Sequence, residues 1–176
     1  MDDRVLEHAA DAQMIERKVI EDRRVEARLP AHIAPRATIG GVPVHAMLVP
    51  FPIACFTGAM LSDWAYAQSA NIQWANFSAW LLAFGMVMGS LAALFGLIDL
   101  IFTKARPRPA IAVWHMLGNF VMLALALVNN LVHARDGWTA VVPTGLTLSV
   151  LTVLIMVVTG FMGHRMAYAR RAGALA

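Results

Sequence analysis

The stretch "IAVWHMLGNFVMLALALVNNLV", residues 111–132, contains no charged residue. A bilayer core of about 30 Å is crossed by a helix of about 20 apolar residues, so this run is long enough to span a membrane. Its polar members are ordered. His115, Asn119, Met122, Ala126, Asn129 and, one step beyond, His133 recur at three- and four-residue spacing and so share one helix face. Lipid offers such a stripe no partner, so the face is expected to point into a bundle.

Working outward, three more apolar runs of similar length follow the same pattern. The spacing predicts spanning helices over about 44–67, 77–102, 111–132 and 141–163. The connectors "QSANIQWAN", "TKARPRPA" and "HARDGWTA" are short, which forces antiparallel neighbours. The expected fold is all-α: an integral-membrane up-down four-helix bundle over 41–176, preceded by a charged cytoplasmic helical arm over 1–40. A hydrophobic content of 59% and a mean hydropathy of +0.63 agree with a membrane protein.

The arm is compositionally distinct. Residues 1–36 carry eight acids and seven bases, with opposite charges three or four apart on good helix formers. A solvated helix of about six turns, ending before Pro30, is expected. Its apolar residues do not gather on one face, which disfavours an amphipathic helix lying on the membrane. The N-terminus lacks an apolar core of the signal-peptide kind, so the first spanning helix is expected to act as its own insertion signal.

Thirteen of the fourteen Lys and Arg residues lie before the first run, between the second and third, or after the fourth. By the positive-inside rule both termini are expected in the cytoplasm. Trp64, Tyr66, Trp74 and Trp138 would then mark the outer interface, and Trp114 and Tyr168 the inner one. The pI of 9.6 reflects these flanking charges, not a basic stripe on a soluble face, so no nucleic-acid partner is expected. The single cysteine, Cys55, excludes an internal disulfide framework and a Cys-based zinc or iron–sulfur site.

Ionisable residues inside spans are costly and are functional candidates by default. His45, Asp99, His115 and His164 fall at the cytoplasmic ends of the four helices, whereas Asp63 and His133 fall at the opposite end. Residue chemistry leaves three readings of the first group open. His45 and His115 ligate one b-type haem or serve a quinone, with Asp99 fixing a ring nitrogen. Alternatively, His164 completes a His/His/Asp metal site. In the third reading the histidines bond headgroups and Asp99 pairs with Lys104, Arg106 or Arg108. A second haem is not supported, because helix one has no second histidine to face His133. There is no glycine-rich phosphate loop, H-E-x-x-H or C-x-x-C, so no independent catalytic domain is expected. Gly85-x-x-x-Gly89, continued by Ala93, is a close-approach face for helix packing.

"VHAMLVPFPIA" at 44–54, "GLIDLIF" at 96–102 and "AVWHMLGNFVMLALALVNN" at 112–130 resemble the bacterial four-helix membrane family catalogued as domain of unknown function 2231. The resemblance covers about residues 40–170. It matches the family's histidines at His45 and His115, its aspartates at Asp63 and Asp99, its proline at Pro52 and its asparagine at Asn119. Ala46 stands where the family usually has proline, and Arg170 where it often has a terminal histidine. The resemblance implies a cytochrome-b-like or quinone-facing electron-transfer subunit of a bacterial redox complex in the inner membrane. Its partners would be membrane lipid and a redox subunit: a dehydrogenase, an iron–sulfur protein or a cytochrome. In that reading His45 and His115 hold haem b, Asp99 orients a ligand or accepts a proton, and Asn119 bonds a propionate or a quinone carbonyl. The alternative is a non-catalytic accessory subunit that stabilises a larger membrane complex through the Gly85/Gly89 face and the arm.

Overall fold

The computed structural model describes residues 13–18, 37–102, 110–135 and 141–173, with side chains described as far as Tyr168. The chain divides into two compact units, Met1–Ala34 and Pro35–Ala176. In the first, residues 13–18 are helical and exposed. The remainder of the expected arm helix lies outside the described residues.

The second unit opens with a hairpin absent from the sequence reading. β1 (Thr38–Ile39) pairs antiparallel with β2 (Val42–Pro43), in the register Thr38 to Pro43 and Ile39 to Val42. Gly40 and Gly41 make its turn at φ 58° and 79°. Two consecutive positive φ values are what a two-residue turn of this hand requires, and only glycine adopts both without strain.

Four spanning segments follow: α1 (Val44–Leu48) with α2 (Pro50–Ser69), α3 (Ile72–Phe102), α4 (Ala110–His133) and α5 (Thr144–Gly173). All four are long and apolar enough to cross a membrane. Val49 separates α1 from α2 yet keeps helical angles, φ −53° and ψ −37°. The interruption is therefore a loss of hydrogen bonds at Pro50 and Pro52, which have no N–H to donate, and not a turn of the chain. α3 begins at Ile72, five residues before the expected start, since Asn71 Oδ1 accepts the Gln73 N–H at 3.0 Å and caps the new first turn. α5 begins at Thr144, not at 141, because Pro143 disfavours helical angles in the residue before it. The expected 163 end is passed by ten residues.

Each helix packs on the next, and α2 closes the ring against α5, so α2 faces α4 across one diagonal and α3 faces α5 across the other. The core between them is Phe56, Ala59, Leu82, Met122, Ala126 and Met156. Leu, Val and Phe side chains on the outer faces are exposed, as lipid-facing residues are. Gly85 and Gly89 are buried, and a Cβ on Gly85 would meet Phe56 Cε1 at 2.7 Å. The small-residue face is thus taken up inside the chain's own bundle, which corrects its expected use as a docking face for another subunit. Trp64 and Trp114 are exposed as interface markers should be, but Tyr66 is 4% exposed and points inward.

The burial pattern repeats. Pro52, Phe56, Ala59, Ser62 and Asp63 in α2 correspond at a constant offset to Met122, Ala126, Asn129, Val132 and His133 in α4, and all are buried. Leu82, Gly85, Gly89 and Ala92 in α3 correspond in the same way to Ser149, Thr152, Met156 and Thr159 in α5. The bundle is two helical hairpins of like design, the second repeating the burial pattern of the first about the bundle's long axis. Residues on facing diagonal helices therefore meet in pairs on that axis.

Candidate functional site

The axis carries two polar clusters. The same offset that pairs Asp63 with His133 pairs His45 with His115, and the two clusters are eighteen residues apart on each helix. At about 1.5 Å per residue that is roughly 27 Å, nearly the thickness of the bilayer core.

At the hairpin end, the His45 and His115 rings lie 6.3 Å apart between centroids, with planes at 86°. Both are half-buried. His45 Nδ1 donates to the Ala92 carbonyl at 2.7 Å, and His115 Nδ1 donates to the Thr159 carbonyl at 2.8 Å. A carbonyl can only accept, so Nδ1 carries the proton in both rings, and in the neutral ring Nε2 is left with its lone pair. Ala92 and Thr159 are themselves equivalent positions of the two hairpins. One turn on, Gly96 and Gly163 make room: a Cβ on Gly96 would stand 3.0 Å from His45 Nδ1, and one on Gly163 would stand 3.0 Å from His115 Cε1. Each ring is thus seated against a glycine and held by a helix carbonyl.

The other expected members take different places. Asp99 Oδ1 accepts the Ala37 N–H at 3.2 Å, tying the hairpin strand to the end of α3. In both rings Nδ1 is held by a carbonyl of the neighbouring helix, and Asp99 lies one turn past the Gly96 seat. Asn119 Nδ2 donates to the His115 carbonyl at 2.7 Å and lies 3.3 and 3.2 Å from the two ring nitrogens. Of the two, only Nε2 has a lone pair to accept from it. Asn119 braces the ring from one turn away. His164 is exposed and rests on Tyr168, with ring centroids 5.3 Å apart. Among the described residues, no three His, Cys, Asp or Glu side chains converge as a metal set.

The opposite cluster joins all four helices. His133 Nε2 meets Asp63 Oδ1 at 2.8 Å, with the two side chains 1% and 0% exposed. His133 Nδ1 donates to the Asn129 carbonyl at 3.0 Å. Ser149 Oγ donates to Asp63 Oδ2 at 2.5 Å, and Ser78 Oγ contacts Asp63 Oδ1. Asn129 Nδ2 donates to Ser149 Oγ at 2.8 Å, while Asn129 Oδ1 is buried with no partner among the described residues. With Nδ1 committed, one further proton lies between Nε2 and the carboxylate. The pair is neutral overall, which is what makes its complete burial tolerable. Sequence reasoning placed Asp63 and His133 at the same end but sought a second histidine opposite His133. The available signal was their equal distance from His45 and His115.

A shallow apolar groove of about 430 Å³, lined by Met86, Val87, Ser90, Leu91 and Leu94, lies on the outer face of α3, apart from both clusters.

The chain belongs to the family described as "Predicted membrane protein (DUF2231)", which matches residues 41–176. No curated protein and no solved structure matches it significantly.

Proposed function

We propose that this chain is an electron-transfer subunit of a bacterial inner-membrane redox complex, with both termini cytoplasmic and one b-type haem held by His45 and His115. The observation that carries this reading is the pairing of the two rings across the diagonal, each with Nδ1 on a helix carbonyl. An imidazole ligand needs its second nitrogen fixed in this way, so that the other presents a lone pair.

The residues present fit such a group in donor number. A haem iron would be held by Nε2 of His45 and of His115, whose ring centroids lie 6.3 Å apart. The glycine seats at Gly96 and Gly163 also keep the rings from being pushed toward each other's space. A bound haem supplies one-electron chemistry at a potential set by its ligands and surroundings. The chain's own part is to hold two neutral imidazoles at fixed tautomer, to keep Asn119 bracing one of them, and to exclude lipid from the axis. A quinone pool and a dehydrogenase, iron–sulfur or cytochrome subunit are the partners of this reading.

The test is a reduced-minus-oxidised spectrum of the purified protein from cells supplied with haem. A haem α-band that disappears in H45A and H115A supports the reading. Haem-free protein from haem-replete cells sinks it.

A further inference from the structure

We propose that Asp63 is a proton-exchanging carboxyl and that Ser78 is the hydroxyl switch that serves both of its protonation states. The inference concerns the cluster far from the histidine pair and stands whether or not haem binds there.

Ser78 Oγ lies 2.9 Å from the Ala59 carbonyl and also contacts Asp63 Oδ1. Ser78 has one hydroxyl proton and two acceptors to give it to. With Asp63 ionised, the hydroxyl donates to the carboxylate. With Asp63 protonated, the hydroxyl turns to Ala59 and accepts from the carboxyl. Both states keep every heavy atom in place and leave Ser78 satisfied. The other groups have no such choice: Ser149 Oγ already accepts from Asn129, and His133 Nδ1 is held by the Asn129 carbonyl. A purely structural clamp needs a donor only, and a second acceptor beside it serves nothing.

A second observation points the same way. Asn129 Oδ1 is fully buried beside this network and has no partner among the described residues. The network thus holds one more acceptor than its static bonds use. The step is simple: a proton taken from the aqueous side adds to Asp63, and the Ser78 proton moves from Asp63 to Ala59. No bond between heavy atoms changes.

Among the described residues, the ionisable groups facing Asp63 are few. From α2 there is Tyr66, buried on the next turn, and from α4 there is His133, with Arg135 exposed just past the helix end. The only ionisable acid or base in α3 is Asp99, at its far end, and those of α5 begin at His164, also at the far end.

The test is infrared difference spectroscopy of the full chain in lipid vesicles, stepped across about pH 5 to 8. A carboxyl band that changes with pH, is absent in D63N, is lost or displaced in S78A and persists in S78T supports the proposal. Aspartate labelled with ¹³C at the side-chain carboxyl locates the band in the unmutated chain, so the result does not depend on D63N folding. If no Asp63 band responds in the wild-type chain, the pair is a static clamp and the proposal falls. If S78A responds as the wild type does, Ser78 is not the switch.

Discussion

Asp63 and His133 occupy equivalent positions in the two hairpins, and the bundle brings them to 2.8 Å as acid and base on its axis. A symmetric slot has thus been filled by an asymmetric pair. Two aspartates there would repel, and two histidines would leave Ser78 and Ser149 donating to nothing better than a ring nitrogen.

Breaking this pair on one side is expected to be expensive. In D63L, His133, Ser78 and Ser149 lose a shared acceptor in a site without solvent. The expected cost is on the order of 3 kcal/mol. The double variant D63L/H133L should recover much of it, because the stranded base is removed as well. Denaturant unfolding in detergent measures both, and strictly additive losses would argue against a coupled pair.

Ser149→Ala removes the donor to Asp63 Oδ2 and the acceptor for Asn129 Nδ2 together. The expected loss is about 1–3 kcal/mol, since buried polar groups are left unpaired. Thr147→Ala, whose hydroxyl bonds Pro143 O on the exposed side, is the control and should cost little. Equal thermal stability of S149A and the wild type would contradict the geometry.

Close approach of α3 to α2 depends on Gly85. A methyl group there meets Phe56 and Cys55 at 2.7 and 3.0 Å, whereas one on Gly160 meets nothing. G85A should destabilise by about 1–3 kcal/mol, the usual range for overpacking, and G160A should be neutral. Melting temperatures of the two variants in the same detergent decide the matter.

Gly163→Ala probes the ring seat without touching a ligand. The added methyl stands 3.0 Å from His115 Cε1, so the ring must tilt away from its Thr159 carbonyl. Under the haem reading, haem content falls while helix content holds. Full haem occupancy in G163A would show that the seat is not needed.

Orientation is open to chemical labelling, because the natural cysteine is buried. Asn71→Cys, in the turn between α2 and α3, and Ala37→Cys, before the hairpin, should react with a membrane-impermeant thiol reagent from opposite sides. The positive-inside rule puts Asn71 outside. Labelling of Asn71→Cys only after lysis would invert the topology.

Much of the architecture was legible without coordinates. Four apolar runs of membrane length, two of them carrying a single aspartate, allow four helices and little else, because a backbone in lipid must bond within itself. The α4 stripe from His115 to His133 was likewise readable from its period, and Met122, Ala126, Asn129 and His133 are buried as that period requires. The equal depth of His45 and His115 was readable too, because both lie near the start of a helix at the same end of the bundle; their approach to 6.3 Å was not. The partners of each ring did not follow. Whether His45 Nδ1 finds Asp99 or the Ala92 carbonyl depends on helix rotation and crossing, which are set by how Gly85, Gly89 and Gly96 let the backbones approach. The glycines were visible in the sequence, but the direction they faced was not. Asp63 and His133 lie far apart along the chain, and only the closing of α2 and α4 across the diagonal makes them a pair. Membrane crossing is a property of composition along one segment and was determined by the sequence alone. The two polar clusters are properties of distance between segments, and side-chain packing in the folded bundle decided them.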